Sequence, residues 1–163
     1  MNIWKRISRL SLKQFLKLSL LFARNPLLII PTLKATKEAM SICDDLFGRS
    51  HHLSNRANAF RHAIWNILIS EKTLKHTKNA PQSVNWAEKF TNLYEKVTQN
   101  DPLDEAMDLH NNEIGRSVFL EKNGVKTQDL IDFLLKKMKN AQKIASIDDI
   151  EHNKNELVYI EEI

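Results

Sequence analysis

The feature that most constrains the fold of this chain is the helical spacing of its apolar residues between clear helix start and stop signals. In one long segment, for example, Phe60, Ile64 and Ile67 recur at intervals of three or four residues. The chain has only 3 glycines and 4 prolines in 163 residues, which argues against a turn-rich all-β protein. The sequence therefore predicts an all-α fold, a compact bundle of about six helices.

Capping residues and helix breakers give the approximate ends of these helices. The first predicted helix runs from Ser11 to about Arg24, and the second has Pro31 in its first turn and Gly48 just past its end. The others run from Ser54 or Asn55 to about Lys75, from Ser83 to about Thr98, from Asp101-Pro102 to near Gly124 and from Thr127 to about Lys143. The tail sequence Leu157-Val158-Tyr159-Ile160 predicts either a short C-terminal edge strand or a segment that docks on a groove.

The length fits a single domain over residues 1–163, but the charge is unevenly distributed. Residues 1–37 hold eight Lys or Arg and no acid, whereas residues 144–163 hold six acids and one Lys. We therefore predict a basic amphipathic N-terminal helix in residues 1–25 and an acidic tail in residues 144–163. A basic end attracts anionic lipid, nucleic acid or the acidic tail of the same chain.

Residues 1–25 interleave basic residues with Trp, Leu and Phe, which suits an anionic membrane surface. The alternative is a helix that packs on the bundle with a solvated basic face. No nucleic-acid-binding module is recognisable, so nucleic acid is not the favoured partner. Lys13, Lys17 and Arg24 interrupt the apolar run that a signal peptide or a bilayer span would need. The sequence thus favours a cytoplasmic protein, peripheral at the inner membrane.

Polar residues are concentrated in two of the predicted helices. Residues spaced four apart share one helix face in each of two sets: Asn58, His62 and Asn66, and Asp108, Asn112 and Arg116. These groups lie on or beside faces that a bundle must bury, where an unpaired amide or carboxylate costs a few kcal/mol. We therefore expect them to contact one another or a ligand. Gly115, inside the fifth helix, predicts either a close approach to the backbone or a plain helix crossing.

Two sequence blocks resemble the signature of an uncharacterised bacterial domain family. The blocks are N-A-F-R-H-A-I-W-N from Asn58 to Asn66 and M-D-L-H-N-N-E-I-G-R from Met107 to Arg116. The family occurs as short stand-alone proteins and at the ends of secreted, toxin-like polypeptides, and it implies no established activity. Between its two blocks the family has an acidic residue, often preceded by His. Here that element is Tyr94-Glu95, so Glu95 alone is carried over, and the resemblance covers about residues 52–120.

These residues suggest a hydrolytic site. We interpret His62, Glu95 and Asp108 as catalytic residues and as ligands of a divalent metal ion, because imidazole and carboxylate are common ligands and general bases. The predicted substrate-binding residues are Asn58, Arg61, Asn66, Asn111, Asn112 and Arg116. The arginines would hold an anion such as phosphate. The predicted reaction is hydrolysis of a phosphodiester or ester, in a small molecule or a lipid, at the membrane surface.

An alternative from a different class is a non-catalytic binding protein in which the polar cluster only fixes helix packing. Its basic N-terminus would then be the surface that binds a partner. Two further histidines, His51 and His52, precede a helix cap and are predicted to be exposed. Cys43 lies in an apolar helical context and is predicted to be a small buried residue.

Overall fold

The computed structural model of the chain describes residues 11–98, 101–122 and 124–161. Within these residues it has seven helices: α1 Leu12–Arg24, α2 Ile29–Phe47, α3 Arg56–Thr77, α4 Ala80–Thr98, α5 Pro102–Glu121, α6 Thr127–Lys139 and α7 Asp148–His152. Short 3-10 turns at Pro26–Leu28 and Ser50–His52 lie before and after α2. Strands β1 Gln142–Lys143 and β2 Val158–Tyr159 form a two-stranded parallel sheet. The predicted all-α bundle and its short C-terminal strand are confirmed.

Helix α3 is the centre of the bundle. Every residue from 57 to 70 is buried, and α3 packs against α2, α4, α5 and α6. The helix begins after Asn55, whose side chain accepts a hydrogen bond from the backbone N–H of Asn58 at 3.1 Å. A helix that is enclosed on all sides cannot turn its polar side chains to solvent. The amide, imidazole and guanidinium groups of α3 must therefore find partners inside the protein.

Two predicted helix boundaries are wrong. Helix α4 begins at Ala80 and not at Ser83, because the side chain of Asn79 accepts from the backbone N–H of Gln82 at 2.9 Å. Pro81 then lies in the first helical turn, where no backbone N–H donor is needed. Helix α6 ends at Lys139 and not near Lys143, since the following residues form β1.

The acidic C-terminal tail packs on the bundle. Leu157, Val158 and Tyr159 are all buried, and β2 contacts both α3 and α5. The backbone N–H groups of Ile160 and Glu161 both donate to the carbonyl oxygen of Ser54, at 2.9 and 2.8 Å. The apolar residues of the tail therefore dock at the beginning of α3. The tail both forms a short strand and packs on the bundle, so the two predicted alternatives are combined.

Helix α1 is the described part of the predicted basic N-terminal helix, and residues 1–10 lie outside the described residues. Ser11 begins α1 with a capping box, in which it exchanges hydrogen bonds with Gln14. No single helix in the described residues is long and apolar enough to cross a membrane. Leu12–Arg24 and Pro26–Phe47 meet the length and composition criteria only as a pair, which is bent by 102°.

Candidate functional site

Three helices bring the predicted catalytic side chains together. His62 lies on α3, Glu95 on α4 and Asp108 on α5. The Nδ1 atom of His62 is 3.5 Å from Oε1 of Glu95, and its Nε2 atom is 3.1 Å from Oδ1 of Asp108. One ligand atom from each of the three residues lies within 4.8 Å of the other two. An ion would bind one of the two imidazole nitrogens at roughly 2.1 Å, so the carboxylate that now faces the other nitrogen would have to move to reach it.

This cluster is enclosed by protein. The side chains of His62 and Glu95 are 1 % and 0 % exposed, and that of Asp108 is 3 % exposed. Removing a carboxylate from water costs several kcal/mol even after the protein relaxes, so two buried carboxylates require compensating charge or hydrogen bonds.

Arg61 supplies one positive charge beside the cluster. Its Nη2 atom donates to Oδ1 of Asn58 at 3.3 Å and lies 2.6 Å from Nε2 of His62, while Nη1 donates to the carbonyl oxygen of His51. The guanidinium therefore lies next to the imidazole that faces both carboxyl groups.

An amide network extends the cluster along α3 and α5. Oδ1 of Asn112 accepts from Nδ2 of Asn66 at 2.6 Å and lies 3.1 Å from Nδ1 of His62. Oδ1 of Asn66 accepts in turn from the Thr91 hydroxyl at 3.3 Å and from Nη1 of Arg116 at 3.2 Å. The Nδ2 group of Asn112 is buried and has no acceptor among the described residues. An unsatisfied buried donor costs about 1–3 kcal/mol, so this amide is suited to an additional oxygen ligand.

Arg116 is at the far end of this network. Its side chain is largely buried, and the loss of hydration lowers the pKa of the guanidinium from its usual value. The negative charges of Glu88 and Glu113 act in the opposite direction and favour the charged form. Arg116 thus remains a cation, and its Nη1 atom is hydrogen-bonded to the amide oxygen of Asn66.

Asn111 and His110 are directed to the C-terminal segment. Nδ2 of Asn111 donates to the carbonyl oxygen of Val158 at 2.9 Å, and its Oδ1 accepts from the N–H of Val158 at 3.0 Å. Nε2 of His110 lies 2.8 Å from the carbonyl oxygen of Glu156. Both polar atoms of Asn111, a predicted substrate-binding residue, are therefore used to hold β2.

Gly115 fixes the distance between the two helices that carry most of the site. A Cβ atom at this position would lie 2.2 Å from the carbonyl oxygen of Ala63, so the backbones of α3 and α5 are in direct contact. Ala63 follows His62 in the chain, and Asn112 lies one helical turn before Gly115. The close approach predicted from Gly115 is confirmed, and it places the imidazole within reach of the α5 side chains.

A family model for a domain of unknown function, DUF6973, matches residues 19–142. The chain belongs to this family. The matched region contains all the predicted site residues and both sequence blocks, whereas β2 lies beyond it. The resemblance expected from the two blocks is thus confirmed, and the match extends further towards both ends. The comparison with curated proteins found no match.

The DUF6973 region also contains a pair of histidines that sequence reasoning placed wrongly. His51 was expected at the surface but is 0 % exposed, and its Nε2 atom lies 2.9 Å from Oδ1 of Asp44. The prediction fails because the chain reverses after Gly48, so that the turn Ser50–His52 folds back towards the end of α2. The seven-residue separation of Asp44 and His51 becomes a contact only through that reversal, which helical periodicity does not reveal.

Proposed function

We propose that the protein is a metal-dependent hydrolase whose centre, formed by His62, Glu95 and Asp108, binds one divalent cation and cleaves a phosphodiester or ester. The observation that carries this proposal is the convergence of one imidazole and two carboxylates from three helices within 4.8 Å in a buried position. Three protein ligands of this kind leave a fourth zinc position open for water. A zinc-bound water has a pKa near 7 and acts as a nucleophile at neutral pH.

The surrounding charges and donors support the same function. A divalent cation at this centre would supply positive charge beside two carboxyl groups that are removed from water. The buried Nδ2 group of Asn112 provides a donor for a water or substrate oxygen beside the imidazole. Arg61 is also a suitable partner for an anionic group such as phosphate, because its guanidinium carries several donors in a planar fork.

Asp108→Asn tests this function because it removes charge with little change of shape. We expect the substitution to weaken Zn²⁺ or Mn²⁺ binding by at least about 100-fold and to lower hydrolysis of a model diester or ester by about 10²–10⁴-fold. Titration calorimetry on chelator-treated protein and release of nitrophenol from nitrophenyl phosphodiesters and esters measure the two effects.

The matched control is Glu121→Gln, which alters an exposed carboxylate at the end of the same helix. It should leave both quantities unchanged. Hydrolysis at the wild-type rate by metal-free protein, or by Asp108→Asn, would contradict the proposal.

A second candidate is a non-catalytic protein that binds an anionic membrane surface, with the polar cluster serving only to fix helix packing. One observation in its favour is that both ring nitrogens of His62 already have protein groups within 3.5 Å. In addition, three surface clefts among the described residues are lined by side chains other than those of His62, Glu95 and Asp108. An imidazole enclosed in this way is equally suited to a structural role.

The outer face of α1 is the surface that this candidate would use. Leu12, Phe15 and Leu16 are 75 %, 53 % and 57 % exposed, and they alternate with the exposed cations Lys13 and Lys17. Such a mixture of large apolar and basic side chains on one helix is typical of helices that lie in the interface of an anionic bilayer.

The double substitution Phe15→Ser and Leu16→Ser tests the membrane surface. We expect it to lower the fraction of protein that sediments with vesicles of phosphatidylcholine and phosphatidylglycerol, with a partition coefficient at least about 10-fold smaller. Leu120→Ser with Val125→Ser is the matched control, because these apolar side chains are also exposed but lie far along the chain, near the end of α5. Equal sedimentation of the two double variants would count against the candidate.

A further inference from the structure

The turn between α2 and α3 holds two imidazole rings and a carboxylate together. The ring centroids of His51 and His52 are 4.0 Å apart, and Nε2 of His51 lies 2.9 Å from Oδ1 of Asp44. Gly48 has a φ of 57°, a backbone conformation that glycine adopts without strain, and it reverses the chain between the carboxylate and the imidazoles. One ligand atom from each of the three side chains lies within 4.8 Å of the other two.

Each ring in this turn has a nitrogen atom without a hydrogen bond, and an ion shared by Asp44 and Nε2 of His51 would replace the hydrogen bond between them. Nδ1 of His51 and Nδ1 of His52 are buried and have no hydrogen-bond partner among the described residues. An unprotonated imidazole nitrogen is the atom that coordinates a metal ion.

We infer that Asp44, His51 and His52 form a second metal site, which binds Zn²⁺ or a similar transition-metal ion. Two imidazole nitrogens and one carboxylate oxygen are the donor set of many zinc sites that keep a position open for water. Imidazole ligands favour zinc, copper or nickel over magnesium and calcium, which prefer sites made of oxygen atoms. The Asp44 side chain is 60 % exposed, so an ion can reach this site from solvent.

This site differs from the centre at His62 in its position and in its ligands. It has two imidazoles and one exposed carboxylate, whereas the centre has one imidazole and two carboxylates that are all buried. Arg61 lies between the two sites, since it donates to the carbonyl oxygen of His51 and lies beside the ring of His62. The inference rests on the turn alone and does not depend on the proposed hydrolase activity.

Titration of the metal-free full-length protein with Zn²⁺ tests the inference. His52→Ala and Asp44→Asn are the informative variants, because both side chains are partly exposed and their loss should leave the protein folded. We expect each to weaken binding at one saturable zinc site by at least about 100-fold. The same site should persist in Asp108→Asn. In cobalt-substituted protein, the part of the visible absorption that persists in Asp108→Asn should be lost in the same two variants.

His152→Ala is the matched control, since this histidine is exposed on α7 and should not affect zinc binding. Wild-type zinc affinity in both His52→Ala and Asp44→Asn would overturn the inference. Zinc binding that is lost in Asp108→Asn but unchanged in His52→Ala would also overturn it, and would leave the proposed function intact. A protein that binds no Zn²⁺ at all would contradict both sites.

Discussion

Replacement of Gly115 by alanine is expected to lower the free energy of unfolding by about 3 kcal/mol or more. The added methyl group would lie 2.2 Å from the carbonyl oxygen and 2.7 Å from the Cα atom of Ala63. These are backbone atoms of the central helix and cannot turn aside as a flexible side chain does, so α3 and α5 must separate. Urea denaturation followed by circular dichroism would measure the loss of stability.

The expected loss of stability in Gly115→Ala is opposite in sign to the effect of helix propensity. In an open helical position, a change from glycine to alanine stabilises a protein by up to about 1 kcal/mol. Ser117→Ala, an exposed position two residues further along α5, is the control and should change stability by less than about 0.5 kcal/mol. Unchanged or increased stability of Gly115→Ala would contradict the close contact of the two helices. Separation of α3 from α5 should also weaken cation binding, because His62 and Asp108 lie on opposite sides of this contact.

Much of the candidate site was predictable because it depends on local periodicity. Spacing of four residues placed His62 and Asn66 on one face of a helix. The same spacing placed Asp108 and Asn112 on one face of a second helix. The cost of burying unpaired amides then required these faces to meet. The contacts from Asn112 to His62 and to Asn66 confirm that reasoning. Gly115 in α5 indicated the close contact in a similar way. Glycine lowers the stability of a helix relative to alanine, so its presence suggested a compensating interaction.

Other parts of the structure depend on contacts between distant residues, which periodicity does not report. Gln142 pairs with Val158 in a parallel arrangement, and this pairing ends α6 earlier than its helix-forming residues suggest. His51 is buried because a turn folds back, although its neighbours in the sequence are polar. The role of Asn111 was also hidden, since an amide in a block of conspicuous polar residues gives no sign that it binds the backbone of the tail.

Asn111→Ala is expected to release β2 from the bundle. The side chain makes two hydrogen bonds with the backbone of Val158, a residue that is 0 % exposed. Without the amide, one N–H and one C=O group would remain buried and unpaired, at about 1–3 kcal/mol each. The C-terminal segment should then open locally, and the Val158 amide should exchange with deuterium about 100-fold faster. Hydrogen exchange followed by mass spectrometry would measure this rate for the peptide that contains β2.

Because the tail lies over the beginning of α3, its release should be separable from the chemistry of the buried centre. Asn111→Ala should therefore retain cation binding at His62, Glu95 and Asp108 while losing protection of β2. Glu113→Ala changes an exposed side chain on the same helix and should leave exchange at Val158 unaltered. Full protection of the Val158 amide in Asn111→Ala would show that the apolar contacts of Leu157 and Tyr159 hold the tail without the amide.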